Sequence, residues 1–222
     1  FNSHMNLIAN NDVLIYTNAA TDPYSAAAAG SGGAWNTELQ NNLTNTIGNA
    51  AYDIGHLFGA SGGGGNAGCI GCICVDDTAS TTDENKGSGF TSPGDAIPQG
   101  DNFDIDYVAH EMGHQWGANH TFNSTTGSCG GGNRSATSAY EPGSGITIMA
   151  YAGICGNQNL ALNSIDTFHV KSLEVIVAYS QTGNGNTCAV TTATNNTPPT
   201  VSIVGGPPFA VPKQTPFTLT TT

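Results

Sequence analysis

Residues 110–120 read HEMGHQWGANH, and no other stretch restricts the chain so sharply. On an α-helix, residues four apart lie about 40° from overlying one another, so His110 and His114 can present imidazoles to one point. Gly117 tolerates the left-handed backbone that ends a helix, and the turn after it brings His120 back toward that point. Three neutral imidazoles with a fourth position open make the ligand set of a catalytic zinc, whereas a structural zinc closes the fourth position with another Cys or His. Glu111 flanks the same face without being a ligand, which suits a general base acting on water polarised by the ion. Two histidines alone would also fit ordinary packed or surface residues; Gly117 and His120 make that reading a poor one.

Around this string the pattern predicts alternating elements. Leu7 to Tyr16 reads as a hairpin feeding a buried strand at Val13 to Tyr16, and Thr17 to Gly33 as loop. Trp35, Leu39, Leu43 and Ile47 recur at every fourth position, which predicts a helix with one apolar face backing a sheet. Tyr52 to Phe58 reads as a strand, Ser61 to Gly65 as a flexible loop, and Ala67 to Val75 as a strand at a sheet edge. Asp76 to Gly100 is a long polar loop. Asp101 and Asp104 are candidate N-caps for a helix through Tyr107 to Trp116, and Thr121 to Ser144 is again loop. A last helix begins near Asp166, with Phe168, Leu173, Ile176 and Val177 toward the core. After Cys188 the composition turns to Thr, Asn and Pro, a linker over 189–200. Val201 to Val204 and Phe217 to Thr222 look like strands, too few for a domain, so 201–222 is expected to open a further β-domain.

Only 9% of the 222 residues are charged, against roughly 25% in soluble domains, and Gly supplies 30 residues. With Lys+Arg at 4 and a net charge of -12, the chain lacks the cations to neutralise nucleic acid or an anionic membrane, so neither is an expected partner. Most carboxylates lack an ion-pair partner. Asp76, Asp77, Asp83 and Glu84 are therefore candidate calcium ligands, although no EF-hand spacing is present and a solvated acidic loop is the commoner arrangement. Six cysteines in so polar a chain imply an oxidising compartment; the protein is expected to be secreted and monomeric, its export signal removed. His4, His56 and His169 have no partner at ligand spacing and read as packed or surface residues.

The string at 110–120 is similar to the metzincin motif HExxHxxGxxH, and Ile148-Met149-Ala150-Tyr151 resembles the methionine-containing turn that follows it in that clan. The resemblance implies an α/β (α+β) catalytic domain over residues 1–188, in two lobes, with a mixed twisted sheet and backing helix above the cleft. A loop-rich lobe with the C-terminal helix would lie below. It implies Met149 as a soft floor beneath the imidazoles and Tyr151 as a hydrogen-bond donor to the oxyanion. DIDYVAHEMGHQWGANHTF, TIMAYAGICG and FHVKSLEVI look most like the bacterial reprolysin-like (adamalysin-like) peptidases, over about residues 7 to 188. Adamalysins usually carry Asp after the third histidine; here Thr121 follows, and His120-Thr121-Phe122 is similar to pappalysins, the second choice. The strand and long helix that usually precede the first strand of such domains have no counterpart before Val13.

Sequence alone does not pair six cysteines. Adamalysin-like topology implies Cys129 with Cys155 and Cys74 with Cys188, leaving Cys69 and Cys72 as a local loop. A metal site on Cys69, Cys72 and Cys74 lacks a clear fourth ligand. The expected function is a zinc endopeptidase with Glu111 as base. Its substrate would lie extended along the edge strand at Ala67 to Val75, and Ala152 to Ile165 would shape the pocket for the side chain following the cut. The alternative, a non-catalytic zinc-containing adhesion or binding module, has no use for Glu111.

Overall fold

A small mixed sheet and three long helices hold most of the strings singled out above. The computed structural model describes residues 3–78, 84–94 and 97–193, with residues 195, 197 and 200. Asp83 and the strands expected within 201–222 lie outside the described residues. The chain divides into two compact units, Phe1–Ala189 and Val190–Thr222. The described residues of the second form no helix or strand.

The sheet contains β1 (His56–Phe58), β2 (Gly65–Asn66) and β3 (Gly89–Thr91), in the order β1-β3-β2. β1 runs parallel to the central β3, with Leu57 opposite Phe90, and β2 runs antiparallel to it, with Asn66 opposite Phe90. Two expectations are corrected here. β3 lies inside the segment read as polar loop; its three residues are wholly buried but too short and too small to show a strand pattern. The edge strand is at Gly65–Asn66, and Ala67 to Val75 bends away from the sheet, because Gly68 and Gly71 take positive φ and Cys69 closes on Cys72.

The helix predicted from Trp35 is present as α1 (Trp35–Thr46) and backs the sheet. Leu39 and Leu43 pack with Tyr52, and Trp35 meets Phe90 edge to face at 5.4 Å. The buried face is not purely apolar. Asn36 Nδ2 donates to Ser88 O at 2.6 Å; Gln40 Oε1 accepts from Gly87 N at 2.9 Å while its Nε2 donates to Tyr52 Oη at 2.9 Å. Each amide satisfies backbone that a two-residue edge and a three-residue centre leave open.

The zinc-motif helix, α2, starts earlier than predicted and is continuous through α-helical Asp101–Phe103, π-helical Asp104–Ala109 and α-helical His110–Gln115. Gly100, at φ 82, is its N-cap; Asp101 and Asp104 lie inside it, where their charges favour the helix N-terminus without capping it. The last helix, α3 (Val170–Thr182), begins four residues later than expected, because His169 rather than Asp166 caps it, its ring accepting from Lys171 N. Ile176 joins the core with Ala118, Ile148 and Met149, and Phe168 packs against them, but Leu173 points to solvent.

The strand expected at Val13 to Tyr16 is absent. Asn10 adopts a left-handed conformation and Asn11–Leu14 form a 3-10 turn, with Val13 50% and Ile15 64% exposed. From Leu7 to Tyr16, Ile8 and Leu14 reach the cluster around Leu39 and Tyr16 donates to Asn42 Oδ1 at 3.0 Å, so the run covers the helix from outside without joining a strand.

His56, a packed residue as expected, bridges the sheet to α2: its ring nitrogens meet Gln115 Oε1 at 2.9 Å and Thr91 Oγ1 at 2.8 Å. Burial lowers its pKa from 6.5 to about 4, partly opposed by Gln115. The unfolded ring takes up a proton before the folded one does, so stability present above pH 6.5 is lost as the pH falls toward 4. The expected loss is about 2–3 kcal/mol. Urea unfolding of wild type and His56→Gln across that window tests it: the variant should show a shallower pH profile, and parallel profiles would reject the assignment.

Candidate metal centre

Three turns of backbone geometry bring the imidazoles together. His110 and His114 project from one face of α2, Gly117 at φ 94 stops the helix, and Ala118 N closes onto Gly113 O at 3.0 Å, so the chain doubles back to His120. The ligand atoms of His110, His114 and His120 all lie within 4.8 Å of one another. Each ring is locked from behind. His110 Nδ1 meets Ile148 O at 2.6 Å, His114 Nδ1 meets Ala118 O at 2.7 Å, and His120 Nδ1 meets Asn133 O at 2.6 Å.

A carbonyl oxygen only accepts, so each Nδ1 carries the proton and each Nε2 presents a lone pair. His114 Nε2 and His120 Nε2 then face each other at 3.0 Å with no proton to share, and His110 Nε2 is buried without any partner. Such a cluster is unfavourable unless a cation lies between the nitrogens; nitrogens bound tetrahedrally at about 2.0–2.1 Å to one zinc stand roughly 3.3 Å apart. Burial, then the neighbouring rings, holds His110 well below its ordinary pKa, and the same two causes lower His114 to about 3. Burial also lowers His120, and in all three the backbone carbonyl opposes the shift. Neutral rings are what a zinc ligand set requires.

Glu111 is 8% exposed, and burial pushes its pKa up to about 8 against a backbone hydrogen bond from Ala67. The edge strand lies directly on it: a Cβ at Gly65 would come within 2.7 Å of Glu111 Oε1. Beneath α2, Met149 is fully buried, and its Sδ would stand 2.4 Å from a Cβ at Gly113. Glycine at 113, inside a helix where it costs about 1 kcal/mol relative to Ala, lets the methionine seat between the two ligand positions. Gly113→Ala is therefore expected to lower stability by about 1–3 kcal/mol despite its better helix propensity. Chemical denaturation measures it, and a stabilised variant would reject the contact.

Tyr151 faces the histidines, its ring 4.5 Å from His120 and 5.4 Å from His110 between centroids. Burial, with Glu111 and Tyr107 adding, raises its phenol to about 12. Glu111, Tyr151, Gly64 and Gly65 share one cavity of about 220 Å³ with Asp106 and Leu162.

Glu141 went unnoticed in the sequence. It is buried and accepts from Thr121 Oγ1, Thr147 Oγ1, Ile146 N and Thr147 N, joining the residue after the third histidine to the methionine turn. Burial alone would raise its pKa, yet these hydrogen bonds outweigh it and the net shift is downward. Asp76 and Asp77 do not gather into a metal cluster: Asp76 pairs with Lys86, and Asp77 accepts from Thr44 Oγ1 at 2.7 Å. Among the described residues the three histidines form the one such group. The cysteines are bonded Cys69 to Cys72, Cys74 to Cys188 and Cys129 to Cys155, which leaves none for a metal.

The family model for reprolysin-like metallopeptidases of family M12B matches residues 1–202. The chain belongs to that family. No curated protein and no solved structure matches it. The match supports a zinc metallopeptidase with protein or peptide as its class of substrate, and His110, His114 and His120 form a group that could hold the metal. The mixed sheet, the helices around it and the position of α2 agree with a reprolysin-like catalytic domain. Gly113 stood in the sequence as an isolated glycine inside a helical pattern beside His114, a signal for close approach that periodicity alone does not weigh, whereas Gly65, the last of four consecutive glycines, read only as loop.

Proposed function

We propose that the chain is a secreted, monomeric zinc endopeptidase in which Glu111 is the general base and Tyr151 steadies the developing oxyanion. The observation that carries this reading is the convergence of three Nε2 lone pairs beside a buried carboxylate at one end of an open cavity. His110, His114 and His120 would hold the zinc, whose Lewis acidity polarises the attacking water and the scissile carbonyl. Glu111 takes a proton from that water and returns it to the leaving amide nitrogen as the C–N bond breaks. Burial raises its pKa, and a dication held by the three histidines would favour its carboxylate form. Tyr151 keeps its phenol proton at neutral pH and so remains a donor toward the carbonyl oxygen. The outer edge of β2 faces the same cavity, and an extended substrate would add there as a further strand.

Three disulfides fit an oxidising compartment, and no helix among the described residues is long and apolar enough to cross a membrane. In this reading 1–188 is the catalytic domain, 189–200 the linker and 201–222 the start of a β-domain. The test is hydrolysis of a denatured protein before chelation, after chelation and after zinc is restored. Activity should vanish and return; equal activity in all three samples would remove the enzyme reading.

A further inference from the structure

The cavity beside Glu111 carries one more carboxylate that peptide hydrolysis does not require. We infer, on the reading just proposed, that Asp106 makes this cavity a pocket for a cationic side chain, so that the enzyme favours Lys or Arg at the residue following the cut. Asp106 lies on α2 one turn before His110, and both residues line the cavity. Leu162 and Ser164, from the segment after the methionine turn, also line it. Asp106 is half-buried and fixed in place. Its Oδ1 accepts from Ser164 N at 2.7 Å, and the Asn163 amide, oriented to donate, reaches Oδ2 at 2.9 Å. Each oxygen keeps a second lone pair for a ligand.

No Lys or Arg lines the cavity among the described residues. Lys86 is held by Asp76, Lys171 by Glu174, and Arg134 donates to Asn123. Zinc held by the three histidines would offset the charge of Glu111, which would leave Asp106 as the unmatched charge of the pocket. Tyr107 lines the same cavity, and burial, with Asp106 and Glu111 adding, raises the pKa of its phenol. Leu162 and Ile154 give the stem of a long side chain apolar surface, an arrangement that suits Lys and Arg, whose methylenes pack while the head stays polar. A Glu or Asp side chain would meet like charge in a partly desolvated site.

The zinc-loaded full chain is tested on matched peptides that differ only at the residue following the cut, Lys, Arg, Leu or Glu. Lys and Arg should exceed Glu in kcat/KM by about tenfold or more, with the ratio shrinking as salt rises. In Asp106→Asn the ratio should collapse toward one, and in Asp106→Glu it should persist. Wild type cleaving all four equally, or Asp106→Asn keeping the ratio, would overturn the inference while leaving the peptidase reading intact. Binding of the same peptides to zinc-loaded Glu111→Gln, followed by fluorescence anisotropy, separates the two in the other direction. Charge-selective binding without any hydrolysis by wild type would uphold the pocket and reject the peptidase; charge-blind binding would reject the pocket.

Discussion

Glu111→Gln is expected to leave zinc bound to the three histidines and to lower kcat/KM by about a thousandfold or more. The substitution keeps the shape of the side chain that Gly65 is bared to accommodate, a contact in which a Cβ would come within 2.7 Å of the carboxylate. It removes only the ability to take and return a proton. The ligands themselves are oriented by Ile148, Ala118 and Asn133 carbonyls and do not lean on Glu111, so metal content should match wild type. Stability should be unchanged or slightly raised, because burial already disfavours the charged form of this carboxyl. Peptide hydrolysis measured with metal analysis on the same samples decides the matter. A variant that keeps zinc and keeps wild-type turnover would show that the proton is carried by another group.

The convergence of the three histidines was more legible than the short strands beside it, for a physical reason. Two ligands on one helical turn, a glycine stop and a third ligand form a local pattern, and His110, His114, Gly117 and His120 need little beyond their own backbone to converge. Strands as short as β2 and β3 have no local signature. Gly89, Phe90 and Thr91 form a strand because α1 and α2 cover them: a Cβ at Gly89 would lie 2.7 Å from the amide of Gln115, and Asn36 and Gln40 complete the neighbouring hydrogen bonds. That information is held by residues far away in the chain. Val13 and Ile15 show the converse, for a β-forming run without a partner strand stays at the surface. Burial of Asn36 and Gln40 on the helix face read as apolar shows how short strands turn polar side chains into structural ones.

Glu141 holds the same lesson in its strongest form, and its removal should be the most destabilising single change near the centre. Thr121 directly follows His120, and its hydroxyl donates to the Glu141 carboxylate at 2.5 Å. Glu141→Ala leaves two buried hydroxyls and two backbone N–H groups without their acceptor, at an expected loss of about 3–5 kcal/mol. The damage should reach the metal, because Ile148, which accepts from His110, directly follows Thr147, and Glu141 also fixes Thr121 directly after His120. Zinc affinity should fall with stability. Glu141→Gln keeps one acceptor and should lose about half as much. The folded pKa of Glu141 lies below its unfolded value, so this contribution is present above the unfolded pKa and is lost as pH falls through the folded one. Wild type should therefore approach Glu141→Gln in stability under acid conditions and pull away from it toward neutrality. Urea unfolding at pH 3 and pH 7, with zinc titration at the higher pH, measures both effects. A constant gap between the two proteins would mean that Glu141 acts through its shape alone.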